Sequence, residues 1–323
     1  MVSLLAVPVP PLFGSAAAIY FSCEFFVNGL EWVGKRLEIT QTATGTILAA
    51  FGTALPESVV TLVAVAFGTS DAERDIGVGA ALGGPLILST LAYAVVGLTL
   101  IGSDKLKVLK KIALDVDYRR LSRDQAWFLG IFLCKLALGL VAFPGKRLFG
   151  FLFLAAYALY VWKELRSDAS ISVEAELERL KIKPNDADPT LIWAGLQTPV
   201  ALIVIFAASR IFVSQLDMIG PWLGIMPETM NAIIWVRQGR ERMALANISG
   251  AMMIQATIPT AFGLFWTPWL LQAPLLVAAG IAMAATVYLQ WIFRKPDVRG
   301  VALVQVAWLY LAFGAIVTWR ALA

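Results

Sequence analysis

Long apolar runs alternate along this chain with short clusters of charge, and this alternation constrains the fold more than any other feature. The runs lie near 12–33, 40–68, 76–101, 126–143, 148–163, 191–219, 221–236, 244–269, 272–293 and 301–320. A helix needs about 20 apolar residues to cross a bilayer. Inside lipid, such a segment must satisfy its own backbone hydrogen bonds. The pattern predicts an all-α polytopic membrane protein of about ten transmembrane helices. The 164–189 stretch is the one long polar connection, and its VEAELERLKIKP segment suggests a short charged surface helix ending before Pro184.

Composition agrees with that class and excludes others. The 323 residues are 59% hydrophobic and 15% charged, with mean hydropathy +0.76, whereas soluble domains run near one quarter charged. Histidine is absent, which removes the commonest metal ligand and neutral-pH proton carrier. Cys23 and Cys134 both lie in apolar runs, so a disulfide framework or Cys-based metal site is not expected. The N-terminal apolar stretch has no basic leader segment and reads as the first membrane helix rather than a signal peptide.

The charges give an orientation. Of 26 Lys and Arg, Arg74, Lys146, Arg147 and Arg320 fall on one side, and Lys135 and Arg210 fall inside spans. The remaining 20 fall on the other side. The positive-inside rule makes that side cytoplasmic and puts both termini outside. The net charge of +4 and isoelectric point near 9.1 express this bias, and a nucleic-acid partner is not expected. The expected setting is a cell (inner) membrane, with the lipid bilayer as partner.

An internal repeat is legible. CEFFVNGLEWVG (23–34) aligns with SRIFVSQLDMIG (209–220) through Phe26-Val27 and Phe212-Val213, Leu30 and Leu216, Glu31 and Asp217, and Gly34 and Gly220. Each segment is followed by a Pro-Glu pair, in GTALPES (52–58) and GIMPETM (224–230). Each pair is followed by a small-residue stretch, GVGAALGGP (77–85) or ALANISGAM (244–252). Halves offset by about five spans insert with opposite orientation, and inverted repeats build a midplane site from interrupted helices. The expected division is 1–163, first repeat; 164–189, cytoplasmic linker; 190–323, second repeat.

The two Pro-Glu pairs carry the chemistry. A proline in a membrane helix frees a backbone carbonyl, and a bound cation can satisfy it. A carboxylate at membrane depth is costly and marks function by default. The bland alternative is a proline kink with a protonated or paired structural glutamate. Two such motifs in corresponding places of two repeats favour the cation reading.

These residues resemble the cation/calcium exchanger superfamily, whose sodium/calcium exchangers carry two inverted repeats. Each family repeat pairs a G-T-S-L-P-E helix with a G-N-x-x-G-S-N helix. Gly52-Thr53-Ala54-Leu55-Pro56-Glu57 keeps five of the six positions of the first motif, and Pro227-Glu228 survive of its second copy. The resemblance implies ten helices in a five-plus-five arrangement with a cytoplasmic central loop. It also implies a cation antiporter with no resident cofactor, Ca²⁺, Na⁺ or H⁺ being the substrate, and no enzymatic activity. The implied ligands are Glu57 and Glu228, helped by Thr53 and Asn247, with freed carbonyls near Thr53, Ala54, Gly224 and Ile225. Ca²⁺ takes about 6–8 oxygens, so two bidentate carboxylates and about four carbonyls suffice for one divalent site.

The chain departs from the family where side-chain ligands are expected. Ala80, Gly84 and Pro85 stand for Asn, Ser and Asn in the first repeat, and Ala251 and Met252 for Ser and Asn in the second. Gln255 falls where the family often carries another amide. Monovalent sites lose most by these changes, so a proton-coupled exchanger is one outcome. An accessory or structural membrane subunit that kept the fold and lost transport is another; protein partners are not legible. Pro56 follows Gly34 by 22 residues but Pro227 follows Gly220 by only 7, so the helix around the second motif is expected to be short. Two readings of Arg210 and Glu24 stay open: a cross-repeat ion pair, or a snorkelling arginine with a locally bonded glutamate. Lys135 reads as structural. Trp32, Trp222, Trp266, Trp269, Trp291 and Trp319 read as interfacial anchors. The basic KLKVLKK stretch (105–111) reads either as an attractor of anionic lipid or as plain positive-inside bias.

Overall fold

The computed structural model describes residues 9–36, 49–102, 118–167, 177–216, 241–295 and 298–322. Among them the regular structure is helical. The first three spans are α1 (Val9–Arg36), α2 (Ala49–Phe67) and a composite of α3 (Asp71–Ile87), a π-helical turn (Leu88–Ala92) and α4 (Tyr93–Gly102). The chain continues through α5 (Tyr118–Leu140), α6 (Phe149–Ser167), α7 (Leu191–Leu216), α8 (Glu241–Trp266) and α9 (Ala273–Phe293). It ends in α10 (Gly300–Val304) and α11 (Ala307–Leu322). Nine of the ten expected spans coincide with described helices, and the one near 221–236 lies outside the described residues. Five helical stretches meet the length and apolarity of a bilayer span outright: Asp71–Gly102, Leu191–Ala208, Ala244–Trp266, Ala273–Phe293 and Gly300–Arg320.

The molecule is apolar outside as well as inside, as lipid demands. Ile192, Ile203, Trp308, Trp319, Leu148 and Phe151 are all strongly exposed, a density of surface apolar side chains that water does not tolerate over large patches. Polar groups instead collect in the interior, among them Thr61, Gln125, Asn247, Ser249 and Gln255. The chain is a multi-pass membrane protein.

Packing carries the repeat that the sequence suggested. α1 lies along α7 and α5 along α9, pairing each of these spans with its own counterpart five spans on. α4 packs on α10, and its counterpart contact is α8 on α6. The α4–α10 crossing is close enough that a Cβ on Gly97 would lie 2.5 Å from the Gly300 carbonyl oxygen.

The linker differs from the expected surface helix. Residues 177–190 contain turns and no helix, whereas 168–176 lie outside the described residues. The stretch is held by long-range polar contacts. Asn28 Nδ2 donates to the carbonyls of Glu178 and Arg179, Lys181 N donates to Asn28 Oδ1, and Trp32 Nε1 donates to the Glu178 carbonyl. Gln197 on α7 joins in, donating to the Phe25 carbonyl at 2.7 Å and accepting from Ile182 N. Leu180 fills a small core with Trp32 and Ala194. A helix would bond its own backbone groups; here α1 and α7 supply those partners, so the extended form wins. At its end, Arg36 pairs with Asp188, and a hydrogen bond from Lys183 holds the Asp186 carboxyl below its usual range.

Candidate functional site

Glu57 sits on α2, which runs unbroken from Ala49 to Phe67. Pro56 therefore does not interrupt the helix as expected. Its missing N–H costs one bond, to the carbonyl four residues back at position 52. The Ala54 carbonyl, expected to be free, accepts from the Ser58 hydroxyl at 2.8 Å. Glu57 is half-buried, with its Oε2 shielded from solvent. Thr53 lies within α2, but its side chain falls outside the description, as do Gly224, Pro227, Glu228 and the whole second Pro-Glu motif.

Four helices pack on α2, namely α1, α3, α7 and α8, of which α3 and α8 frame the small-residue motifs. Small residues permit the approach, as they do generally between membrane helices. A Cβ on Gly77 would lie 2.6 Å from Val65 Cγ1, and one on Gly84 would lie 2.1 Å from Gln255 Oε1. α8 contributes Asn247 and Gln255, buried at 1% and 3% exposure. The site thus joins the Pro-Glu helix of one repeat to the small-residue helix of the other. Three oxygens here have no hydrogen-bond partner among the described residues: Thr61 Oγ1, one turn beyond Glu57, and Gln255 Oε1 and Thr260 Oγ1 on α8. Such a group costs roughly 1–3 kcal/mol when left unmatched, and a bound cation is one species that can match oxygens of this kind.

Sequence reading missed several of these groups. Thr61 carried a legible signal, a hydroxyl one helical turn from Glu57 inside an apolar run. The triad of Tyr93, Ser249 and Gln125 carried none. The Tyr93 and Ser249 hydroxyls lie 2.9 Å apart, and Gln125 Nε2 donates to both, at 2.9 and 3.3 Å. These residues come from three separate spans, so only packing unites them.

The structure decides the other open readings. Glu24 accepts from Lys181 Nζ at 2.8 Å, and Arg210 lies over the Phe67 ring, 5.7 Å from its centroid. Neither open reading holds for Glu24: the cross-repeat ion pair with Arg210 does not form, and its partner is the distant Lys181 of the linker rather than a local group. Trp266, Trp291 and Trp319 are exposed as anchors should be, whereas Trp32 and Trp269 are buried because each indole N–H has found a backbone carbonyl. Trp222 and the 105–111 stretch lie outside the described residues.

Together these features define a helical membrane protein built from two inverted repeats, with a half-buried carboxylate on its second span. Residues 11–164 match the family described as sodium/calcium exchanger protein. Among solved structures, the chain is similar to the sodium-calcium exchanger NCX_Mj soaked with 10 mM Na⁺ and zero Ca²⁺. That likeness has a TM-score of 0.61 at 17% identity and covers 97% of this chain and 99% of that one. It is also similar to the H⁺/Ca²⁺ exchanger CAX, with a TM-score of 0.71 at 14% identity over 94% of this chain and 80% of that one. No curated protein matches the chain in sequence. The family match thus covers the first repeat, and the fold is shared over nearly all of the chain's length.

Proposed function

We propose that the chain is a membrane cation antiporter whose cation binds between α2 and α8. The observation that carries this reading is Glu57, a carboxylate with one oxygen shielded from solvent, on a helix packed against α8, which carries the buried Asn247 and Gln255. Glu57 supplies charge and Asn247 an amide oxygen. Thr53 and the carbonyls near it and near Ala54 complete the first-repeat share. Glu228 and Gly224 supply the second. The transported ion, Ca²⁺, Na⁺ or H⁺, is the substrate, and no cofactor takes part. The substitutions Ala80, Gly84 and Pro85 remove monovalent ligands and favour coupling to protons over coupling to sodium.

The charge bias places the 164–189 linker in the cytoplasm and both termini outside, in a cell (inner) membrane. Cysteine labelling at position 170 tests this, and access only from the outside would invert the topology. Transport is tested by reconstituting the protein in vesicles with Ca²⁺, Na⁺ and proton gradients set separately. Glu57→Gln keeps the side chain's shape but removes its charge and should abolish flux. Normal flux in that variant would reduce Glu57 to a structural residue. Reconstituted wild-type protein that moves none of these ions would favour the accessory-subunit reading.

A further inference from the structure

The first repeat also holds a completely buried positive charge. Pro85 lies inside α3 and has no N–H to offer the carbonyl four residues back, so the Ala81 oxygen loses its helical partner. Within a bilayer such a group must be satisfied by protein. Lys135, from α5, does this. Its Nζ donates to the Ala81 carbonyl oxygen at 2.6 Å, and the residue is completely buried. The ammonium faces the rings of Phe132 and Trp269, with centroids 5.1 and 5.8 Å away, an arrangement that stabilises a cation over apolar surroundings. Among the described residues no carboxylate lies within ion-pair distance of it.

The surroundings are built to hold this group. Trp269 adopts φ +49°, in the left-handed region that bulky residues avoid. Its indole Nε1 donates to the Lys135 carbonyl at 3.2 Å, and its backbone N donates to the Thr267 hydroxyl at 3.1 Å. Lys146 Nζ donates to the Trp269 carbonyl at 2.9 Å. The indole lies so close to Gly263 that a Cβ there would approach Cζ3 to 2.2 Å. In the second repeat, Met252 stands where Pro85 stands in the first, so no carbonyl is freed, and Asn247 stands where the first repeat has Ala80.

We propose that Lys135 is a specificity-determining fixed cation. Its ammonium permanently occupies the carbonyl position that Pro85 opens, in place of one diffusible monovalent cation, and so keeps Na⁺ from binding within the first repeat. A tethered group competes at an effective concentration that free ions do not reach, and its charge repels a second cation in a medium of low dielectric. The inference rests on the exchanger reading only for the kind of ion displaced, and its test needs no transport.

The test is thermal unfolding of the full chain in detergent micelles, at constant ionic strength balanced with choline chloride. Lys135→Ala removes the atoms of a propylammonium ion. That variant should melt below wild type and recover several degrees with propylammonium chloride, while n-propanol at equal concentration gives no recovery. Wild type should respond to neither. The double variant Lys135→Ala/Pro85→Ala returns an amide to the Ala81 carbonyl and should lose the propylammonium response. Equal recovery by propanol, or an unchanged response in the double variant, would overturn the proposal. Should Lys135→Ala fail to fold, Lys135→Gln decides, because it keeps a donor but is neutral and one bond shorter. Na⁺ should then raise its melting temperature by more than it raises that of wild type, and an equal rise would overturn the idea. A wild-type protein that moves no ion while propylammonium rescue succeeds would sink the antiporter reading and leave the fixed cation standing.

Discussion

The small-residue helices of the two repeats, α3 with its π turn and α8, occupy corresponding places and solve the same problem differently. Both use a threonine hydroxyl at the same place. Thr90 donates to the Leu86 carbonyl at 2.5 Å, and Thr257, its counterpart, donates to the Met253 carbonyl at 2.7 Å. Around this shared bond they diverge. α8 keeps polar side chains in the membrane interior, with Asn247, Ser249 and Gln255 all buried. α3 has Ala80, Gly84 and Pro85 in its motif and takes Lys135 from a neighbouring helix. One helix keeps buried polar side chains of its own, and the other receives a buried ammonium from a neighbouring helix. The difference teaches that an inverted repeat conserves packing, which both halves need, more strictly than ligands, which can be supplied from either half.

Three comparisons between equivalent positions test that contrast, beginning with the largest effect. Asn247→Ala should lower cation affinity by about tenfold or more, about 1.4 kcal/mol for each factor of ten. Ala80→Ser, at the equivalent first-repeat position, should change it less than about twofold, measured by cation-dependent thermal stabilisation. Comparable losses at both positions would mean that the repeats still share the ligand work.

Packing should show the reverse asymmetry. Gly77 meets Val65 Cγ1 so closely that an added Cβ would lie 2.6 Å away, and Gly77→Ala should cost about 1–3 kcal/mol through overpacking. Its counterpart Ala244 is fully buried with its methyl already accommodated. Ala244→Gly should cost about 0.5–1 kcal/mol, mainly through backbone entropy. Reversible unfolding in mixed micelles reads both, and a larger loss at 244 would break the comparison.

The smallest effects are expected at the shared hydroxyls. Thr257→Val should cost about 0.5–1 kcal/mol, the worth of one such bond. Thr90→Val should cost less, because the Ser89 hydroxyl also donates to the Leu86 carbonyl, at 3.2 Å. The double variant Ser89→Ala/Thr90→Val should then match Thr257→Val in the same unfolding measurement.

What the sequence determined by itself was the class of protein, the placement of its spans, the repeat and the position of Glu57. Each follows from short-range quantities: the length of an apolar run, the cost of a charge within it and the register of a motif. These quantities act along the chain and need no knowledge of neighbours. The tertiary structure decided the partners. Glu24 met Lys181 rather than Arg210; Trp32 went under the linker rather than to the interface; the linker gave up its helical pattern for bonds to α1 and α7. Lys135 shows the reason most clearly. In sequence it is one lysine in an apolar run, far from Pro85, and its spacing does not point to the Ala81 carbonyl. Only the packing of α3 and α5 on the same two helices, α8 and α9, brings the ammonium and the freed oxygen together, because a long-range hydrogen bond depends on which faces of the helices meet, and that is set by the fit of the whole bundle.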